Sequence, residues 1–324
     1  MFILSGDIGG TKTNLSVINI KNPREFILQK KFSSQNYVNL ESILQEFLQD
    51  QPPISIACFG IAGVICDNTC QATNLPWHID AKKISTICHI PNIHLINDLE
   101  ATAWGLDWLQ KEELFIVNPG KPEAVGNRGL IAAGTGLGEA GFFWNGKQHF
   151  PFSSEGGHCD FGPVNEEHIE LWHYLKNKYG HVSYERILSG PGIIALYDFL
   201  IDTGKEKESE HVKCSMQTQN RSQTITQMAL EKKCAVCLRA IEMFIYIYGL
   251  ESGNLALQLL SYGGLFIGGG IAPKMIPMFQ TPLFMQGFMN KGRFTEMLSR
   301  IPVQIILNQN TALLGATRYA TERI

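Results

Sequence analysis

Four short stretches set chemically capable residues at useful spacings. In "DIGGTKTN" (residues 7–14), Gly9 and Gly10 lack a β-carbon, so a bend there can approach a ligand closely and turn backbone N–H groups toward phosphate oxygens. Thr11 adds a hydroxyl, and Asp7 supplies a carboxylate of the kind that holds magnesium through water. "AAGTGLGEAG" (132–141) offers a second such turn at Gly134, Thr135 and Gly136, and "GGLFIGGGIAPK" (263–274) a third at Gly268, Gly269 and Gly270, open enough for a nucleotide base and ribose. In "HLINDLEATAWG" (94–105), an apolar run ends abruptly at Asn97 and Asp98, and a helix-like composition follows at once. The pair therefore sits at a strand's carboxyl end, where open α/β sheets bind ligands, although Asp98 is equally suited to capping the helix.

Two rival motif readings are weaker. Gly136, Gly138 and Gly141 spell G-x-G-x-x-G, but the following "EAGFFWNGKQHFPF" has aromatic residues on both sides of an Asn-Gly turn. That is a hairpin signal, whereas the dinucleotide fingerprint needs a helix. The Walker pattern is absent. Cys234 and Cys237 form a C-x-x-C pair, yet they lie in a helix-like segment whose pattern places them near a packed face, which favours a structural over a redox role.

The elements that must position these residues follow an α/β order. A strand and glycine bend open the chain and continue as a second strand over residues 11–20, with "KKF" extending the sheet. A helix over 38–51 stops at Pro52-Pro53, and the apolar strand "ISIACFGIAG" follows. Strand, Gly/Thr turn and strand recur over 129–150, which predicts two similar halves. We expect a small α/β domain over 1–110, with a terminal helix at about 309–324 packing back on it, and a large α/β domain over 111–308. Long helical stretches are expected at "NEEHIELWHYLKNKYG", "GPGIIALYDFLIDTG" and "SQTITQMALEKKCAVCLRAIEMFIYIYGLESGNLALQLL", with an exposed polar loop from Lys205 to Arg221.

The chain has 324 residues, 44% hydrophobic and 18% charged, with a net charge of -3, and so carries no basic field for nucleic acid or anionic lipid. No run is long enough for a membrane span and the start lacks a secretory pattern, so a cytoplasmic protein with a small-molecule partner is expected. The eight cysteines have no zinc spacing.

Taken in order, "DIGGTKTN", "ATNLPWHI", "HLINDLEATAWG", "AAGTGLGEAG", "EGGHCDFGP", "YERILSGPGI", "IGGGIAPK" and "KGRF" resemble the motifs of the non-ROK bacterial glucokinases, across nearly the whole chain. The resemblance implies a two-domain actin-like ATPase (ribonuclease H-like) fold with a hinge cleft, binding glucose at the hinge and ATP beneath it. It implies that Asn97 and Asp98 bind the sugar, with Asp98 accepting the proton of the attacking hydroxyl, and that Glu155, His158 and Glu185 contact other hydroxyls. Gly9, Gly10, Thr11, Gly134 and Thr135 would hold the ATP phosphates, Gly269 and Gly270 the adenosine, and Asp7 a magnesium ion through water. Carboxylates, amide and imidazole suit hydroxyls that both donate and accept. Lys12 departs from the Asn common at that position, and its place on a hairpin makes it a surface lysine; the cysteine cluster of the ROK zinc site is missing. The expected reaction is ATP-dependent phosphorylation of glucose to glucose 6-phosphate. The alternatives are another hexose or aminosugar kinase, or a non-catalytic sugar-binding regulator. Against the regulator stand the presence of Asp98 and the lack of a helix-turn-helix segment before residues 1–7. A homodimer is left open.

Overall fold

The structure is a computed structural model describing residues 1–121, 125–207, 212, 214, 216 and 219–324. It divides into two compact units, one of Met1–Glu113, Pro151–Ser153 and Asn308–Ile324, the other of Leu114–Phe150 and Ser154–Leu307.

The first unit is built on β1 (Phe2–Ile8), β2 (Lys12–Asn19), β3 (Phe26–Ser33), β4 (Ile54–Ile61) and β8 (Asn92–Asn97), in the order β3-β2-β1-β4-β8. β1 pairs antiparallel with β2 and parallel with β4, so the first three strands form a meander and the rest need crossovers. β1 and β4 are buried almost throughout, which is why "FILSGDI" and "ISIACFGI" read as apolar runs without strict alternation. Three short strands, β5 (Ile65–Cys66), β6 (Thr69–Gln71) and β7 (His78–Asp80), make a small separate sheet that the sequence reading did not anticipate. Helices α1 (Leu40–Phe47) and α2 (Ala81–Cys88) are capped by the side chains of Asn39 and Asp80.

The helix α3 (Asp98–Gly105) crosses the C-terminal helix, Thr311–Thr321, at van der Waals range. Small residues make that possible: a β-carbon on Gly315 would run into the Ala101 carbonyl, and one on Gly105 into that of Thr311. The C-terminal helix is further fixed by a buried hydroxyl pair, Ser5 with Thr317 at 2.8 Å, and by Asn310, which accepts from Gln29 at 2.8 Å.

A six-stranded sheet consists of β9 (Leu114–Asn118), β10 (Arg128–Ala133), β11 (Leu137–Trp144), β12 (His149–Ser154), β13 (Leu265–Gly268) and β14 (Val303–Ile306), in the order β12-β11-β10-β13-β14-β9, and belongs to the second unit apart from Pro151–Ser153 of β12. β10 pairs antiparallel with β11 and parallel with β13, repeating the arrangement of β1, β2 and β4. The β11–β12 hairpin turns at Asn145 and Gly146; Gly146 takes φ +94°, and the Asn145 side chain accepts from the N–H groups of Lys147 and Gln148. Gly138 and Gly141 lie inside β11, so G-x-G-x-x-G here opens a strand and not a helix.

Helices α4 (Glu166–Tyr179) and α5 (Gly190–Asp202) form as expected. The stretch read as one continuous helical run is instead two helices, α6 (Arg221–Leu230) and α7 (Ala235–Leu259), broken where Lys232 adopts φ +54°. Cys234 caps α7, its Sγ accepting from the Cys237 N–H at 3.4 Å, and both cysteines are buried and outside any disulfide. Much of the segment expected as an exposed loop from Lys205 to Arg221 lies outside the described residues, but Val212 and Met216 within it are buried. Among the described residues no helix is long and apolar enough to cross a membrane.

Candidate active site

Asp7 is the last residue but one of β1, beside Asn14 of β2 and Gly60 of β4. The turn after it is tied down rather than open. The Gly9 N–H donates to the Lys12 carbonyl at 2.9 Å, the Ser34 hydroxyl donates to the Gly9 carbonyl at 2.8 Å, and the Ser34 N–H reaches the Thr11 carbonyl. Both backbone polar groups of Gly9 are thus taken up within the turn. Gly10 lies on the segment before β7, where a β-carbon would stand 3.0 Å from that of Asn74. Lys12 is exposed.

Asn97 closes β8 opposite Ile61 of β4. It is Asn97, not Asp98, that caps α3, which removes the alternative in which Asp98 serves as the cap. The Asn97 Oδ1 accepts from the N–H groups of Leu99 at 2.9 Å and Glu100 at 3.3 Å, while its Nδ2 donates to the Gly63 carbonyl at 3.2 Å. Asp98 is the first helical residue, and its Oδ1 accepts from the Leu99 N–H at 2.9 Å. Gly60 brings it close to the sheet: a β-carbon there would collide with that of Ala101 and lie 3.5 Å from the Asp98 Cα. Asp98 and Asp7 are near enough to interact. Loss of water around Asp7 is the main reason its pKa is pushed up to about 6, the negative charge of Asp98 adds to this, and Lys31 opposes it.

In the second unit, the turn between β10 and β11 is built like the first. The Gly134 N–H donates to the Gly136 carbonyl at 2.8 Å, and the Gly134 carbonyl accepts from Gly190 at the start of α5. Thr135 stands at its tip. Gly136 has the Glu185 carboxylate against its Cα, and Glu185 Oε2 accepts from the Leu137 N–H at 2.9 Å. The Nε2 of His158 lies 3.8 Å from Glu185 Oε1. Glu155 precedes the one-turn 3-10 helix Gly156–His158, and both Glu155 and His158 are exposed. Its two glycines are required by contact: a β-carbon on Gly157 would strike the Leu137 carbonyl, and one on Gly156 the Glu139 carboxyl group. Gly269, at φ +81°, has the Ala133 carbonyl against its Cα, whereas the space beside Gly270 is open.

Residues 134–136, Glu155, His158, Glu185 and Gly269 thus gather about the end of β10, and Asp7, the 9–11 turn, Asn97 and Asp98 about the ends of β1 and β8. The sequence reading missed Glu139 and Glu251, both fully buried. Their signal was an acid within each of two apolar runs, "GLGEAGFF" and "IYIYGLESGNLAL". Among the described residues, no three histidine, cysteine or acidic side chains are arranged to hold a metal. A lone carboxylate such as Asp7 suits only a hard cation that keeps most of its water.

The family model for glucokinase matches residues 4–323. A glucokinase of Nostoc punctiforme is 41% identical over 331 residues, covering 97% of each chain. The crystal structure of glucokinase from an Antarctic psychrotroph is similar at a TM-score of 0.83, 27% identity and 99% of both chains. Glucokinase from Balamuthia mandrillaris, solved in complex with glucose, matches at a TM-score of 0.84 over 98% of this chain and 93% of its own, and at 20% identity that likeness is one of fold. The strand-borne glycine turns and the acid at the head of α3 lie within a chain that this family's pattern matches almost end to end, and the chain belongs to the glucokinase family.

Proposed function

We propose that, in the ATP-dependent phosphorylation of glucose carried out by this family, Asp98 is the catalytic base of this chain. The observation that carries the assignment is the division of labour at the head of α3: Asn97 satisfies the helix, so the Asp98 carboxylate is not required as a cap. In the reaction the 6-hydroxyl oxygen of glucose forms a bond to the γ-phosphorus, the bond from that phosphorus to the β,γ-bridging oxygen breaks, and the hydroxyl proton passes to Asp98. ADP and glucose 6-phosphate leave.

The other roles are proposed on the same footing. Asn97, through its remaining N–H, and Glu155, His158 and Glu185 bind sugar hydroxyls. Gly10 and Thr11 donate to phosphate oxygens, with Gly9 shaping their turn, and Gly134 and Thr135 serve the same ligand. Gly269 and Gly270 admit the adenosine. Asp7 holds magnesium through water, and that ion neutralises phosphate charge when bound. The meander followed by parallel strands, present in both units, supports the actin-like (ribonuclease H-like) class. The small net charge and the absence of a membrane-spanning helix among the described residues support a cytoplasmic site of action.

A coupled assay of ADP release across hexoses, aminosugars and phosphoryl donors tests the reaction. Glucose with ATP is expected to give the highest kcat/KM; a higher value for an aminosugar would move the assignment to another sugar kinase, and no ADP release with any sugar would leave a binding protein.

A further inference from the structure

Beneath the turn that carries Glu155 and His158 lies a pair of acids with no part in the chemistry above. Glu139 of β11 is 1% exposed and Glu251 of α7 3% exposed, and their carboxyl groups hydrogen bond to each other. Carboxylates only accept, so such a bond requires one of the two to be protonated. The rest of the network shows which. Glu251 Oε2 accepts from Asn254 Nδ2 at 2.7 Å, and the positive charge of Lys291 acts on Glu251. Glu139 has no such cation, and its Oε1 is buried without a partner. Glu251 is therefore the carboxylate and Glu139 the acid that donates to it.

The pair touches the sugar-binding segments on two sides. The Glu139 carboxyl lies directly against Gly156, leaving no room for a β-carbon. Asn254 also donates to the Tyr184 hydroxyl at 3.0 Å, and Tyr184 is the residue before Glu185. We propose that Glu139 and Glu251 are positioning residues for glucose, the proton between them holding the Gly156–His158 turn and the Tyr184–Arg186 turn in their binding arrangement. This rests on the assignment of Glu155, His158 and Glu185 to the sugar.

Removal of that proton leaves two buried carboxylates side by side under Gly156, and their repulsion displaces the turn. Burial, and then the charge of Glu251, push Glu139 well above the usual carboxylate range, so the proton is held at neutral pH and lost as the solution turns alkaline. The other ionisable groups facing the pair are Tyr248 of α7, Tyr184, Cys159 and Lys291. Burial raises both tyrosines and the thiol, and lowers Lys291.

The test is KM for glucose and kcat from pH 7 to 9.5 in the wild type, Glu139→Gln and Glu251→Gln. A glutamine at either position keeps a hydrogen bond to the remaining acid without the second charge. The wild-type KM is expected to rise at least threefold between pH 7 and 9 with kcat changed less than twofold, while either variant that folds stays flat. Since Lys291, Cys159 and both tyrosines remain in the variants, a rise shared by wild type and variants overturns the proposal. So does a flat wild-type profile, which needs no variant at all. A wild type that turns over no sugar at any pH instead removes the assignment on which the proposal rests.

Discussion

At the scale of single residues, the two neighbours at the end of β8 separate stability from chemistry. Asn97→Ala is expected to cost about 0.5–2 kcal/mol by removing the cap of α3. Asp98→Asn is expected to leave the melting temperature nearly unchanged and to lower turnover by about 10²–10⁴-fold, the usual contribution of a positioned base. Glucose affinity, measured by calorimetry, should persist; near-normal turnover in Asp98→Asn would count against the base. Asp7 makes a second prediction. An unfolded aspartate titrates near ~3.9, whereas the folded group is pushed up to about 6. Between those values the folded chain holds a proton that the unfolded chain releases, so the contribution of Asp7 to stability is full below the lower pKa and is lost as pH rises through the window. Thermal melts from pH 4 to 7 should show this loss in the wild type and not in Asp7→Asn; parallel curves would contradict the shift.

At the scale of elements, the glycine turns do two kinds of work that substitutions can distinguish. Gly10→Val puts a branched side chain where phosphate is proposed to approach, and is expected to raise KM for ATP about tenfold or more while direct glucose binding is kept. Normal ATP kinetics would take the turn out of the site. Gly269→Ala instead strains a left-handed backbone and drives a methyl into the Ala133 carbonyl, so its expected effect is a loss of roughly 1–3 kcal/mol of stability, read as a lower unfolding midpoint in urea. Much at this scale was legible in the sequence, because the hairpin at Asn145 and Gly146, the strand ends at Asp7 and Asn97 and the starts of α4 and α5 all carry local signals. The rest was not, for physical reasons. β5 to β7 are two or three residues long and too short to show a period. The break before α7 depends on one residue, Lys232, in a conformation its composition does not announce. That Asn97 rather than Asp98 caps α3 is decided by a one-residue difference in where the helix begins. Glu139 and Glu251 meet only through the packing of a strand on a helix, so the sequence shows two misplaced acids but not a pair.

For the whole molecule, each unit carries residues proposed to bind glucose, and exchange is read in each unit separately. Saturating glucose is expected to slow amide hydrogen exchange at Asn97 and Asp98 and over residues 155–158. Protection confined to one group would assign the sugar to that unit alone, and unchanged exchange in both would place it elsewhere.

The C-terminal helix also bears on how the protein is made. Ser5 and its partner Thr317 are 312 positions apart in sequence, and Ile3, Ile56 and Cys58 share a core with Ala316 and Ala320. A nascent chain delivers the five-stranded sheet first and its covering helix last, with the whole second unit synthesised in between. Until that helix is made, those three side chains lack the Ala316 and Ala320 surface that packs against them, and closing the contact spans a loop of about 300 residues. A chain made only as far as residue 307 would thus contain every strand of the second sheet while the first still lacked the helix that packs on Ile3, Ile56 and Cys58.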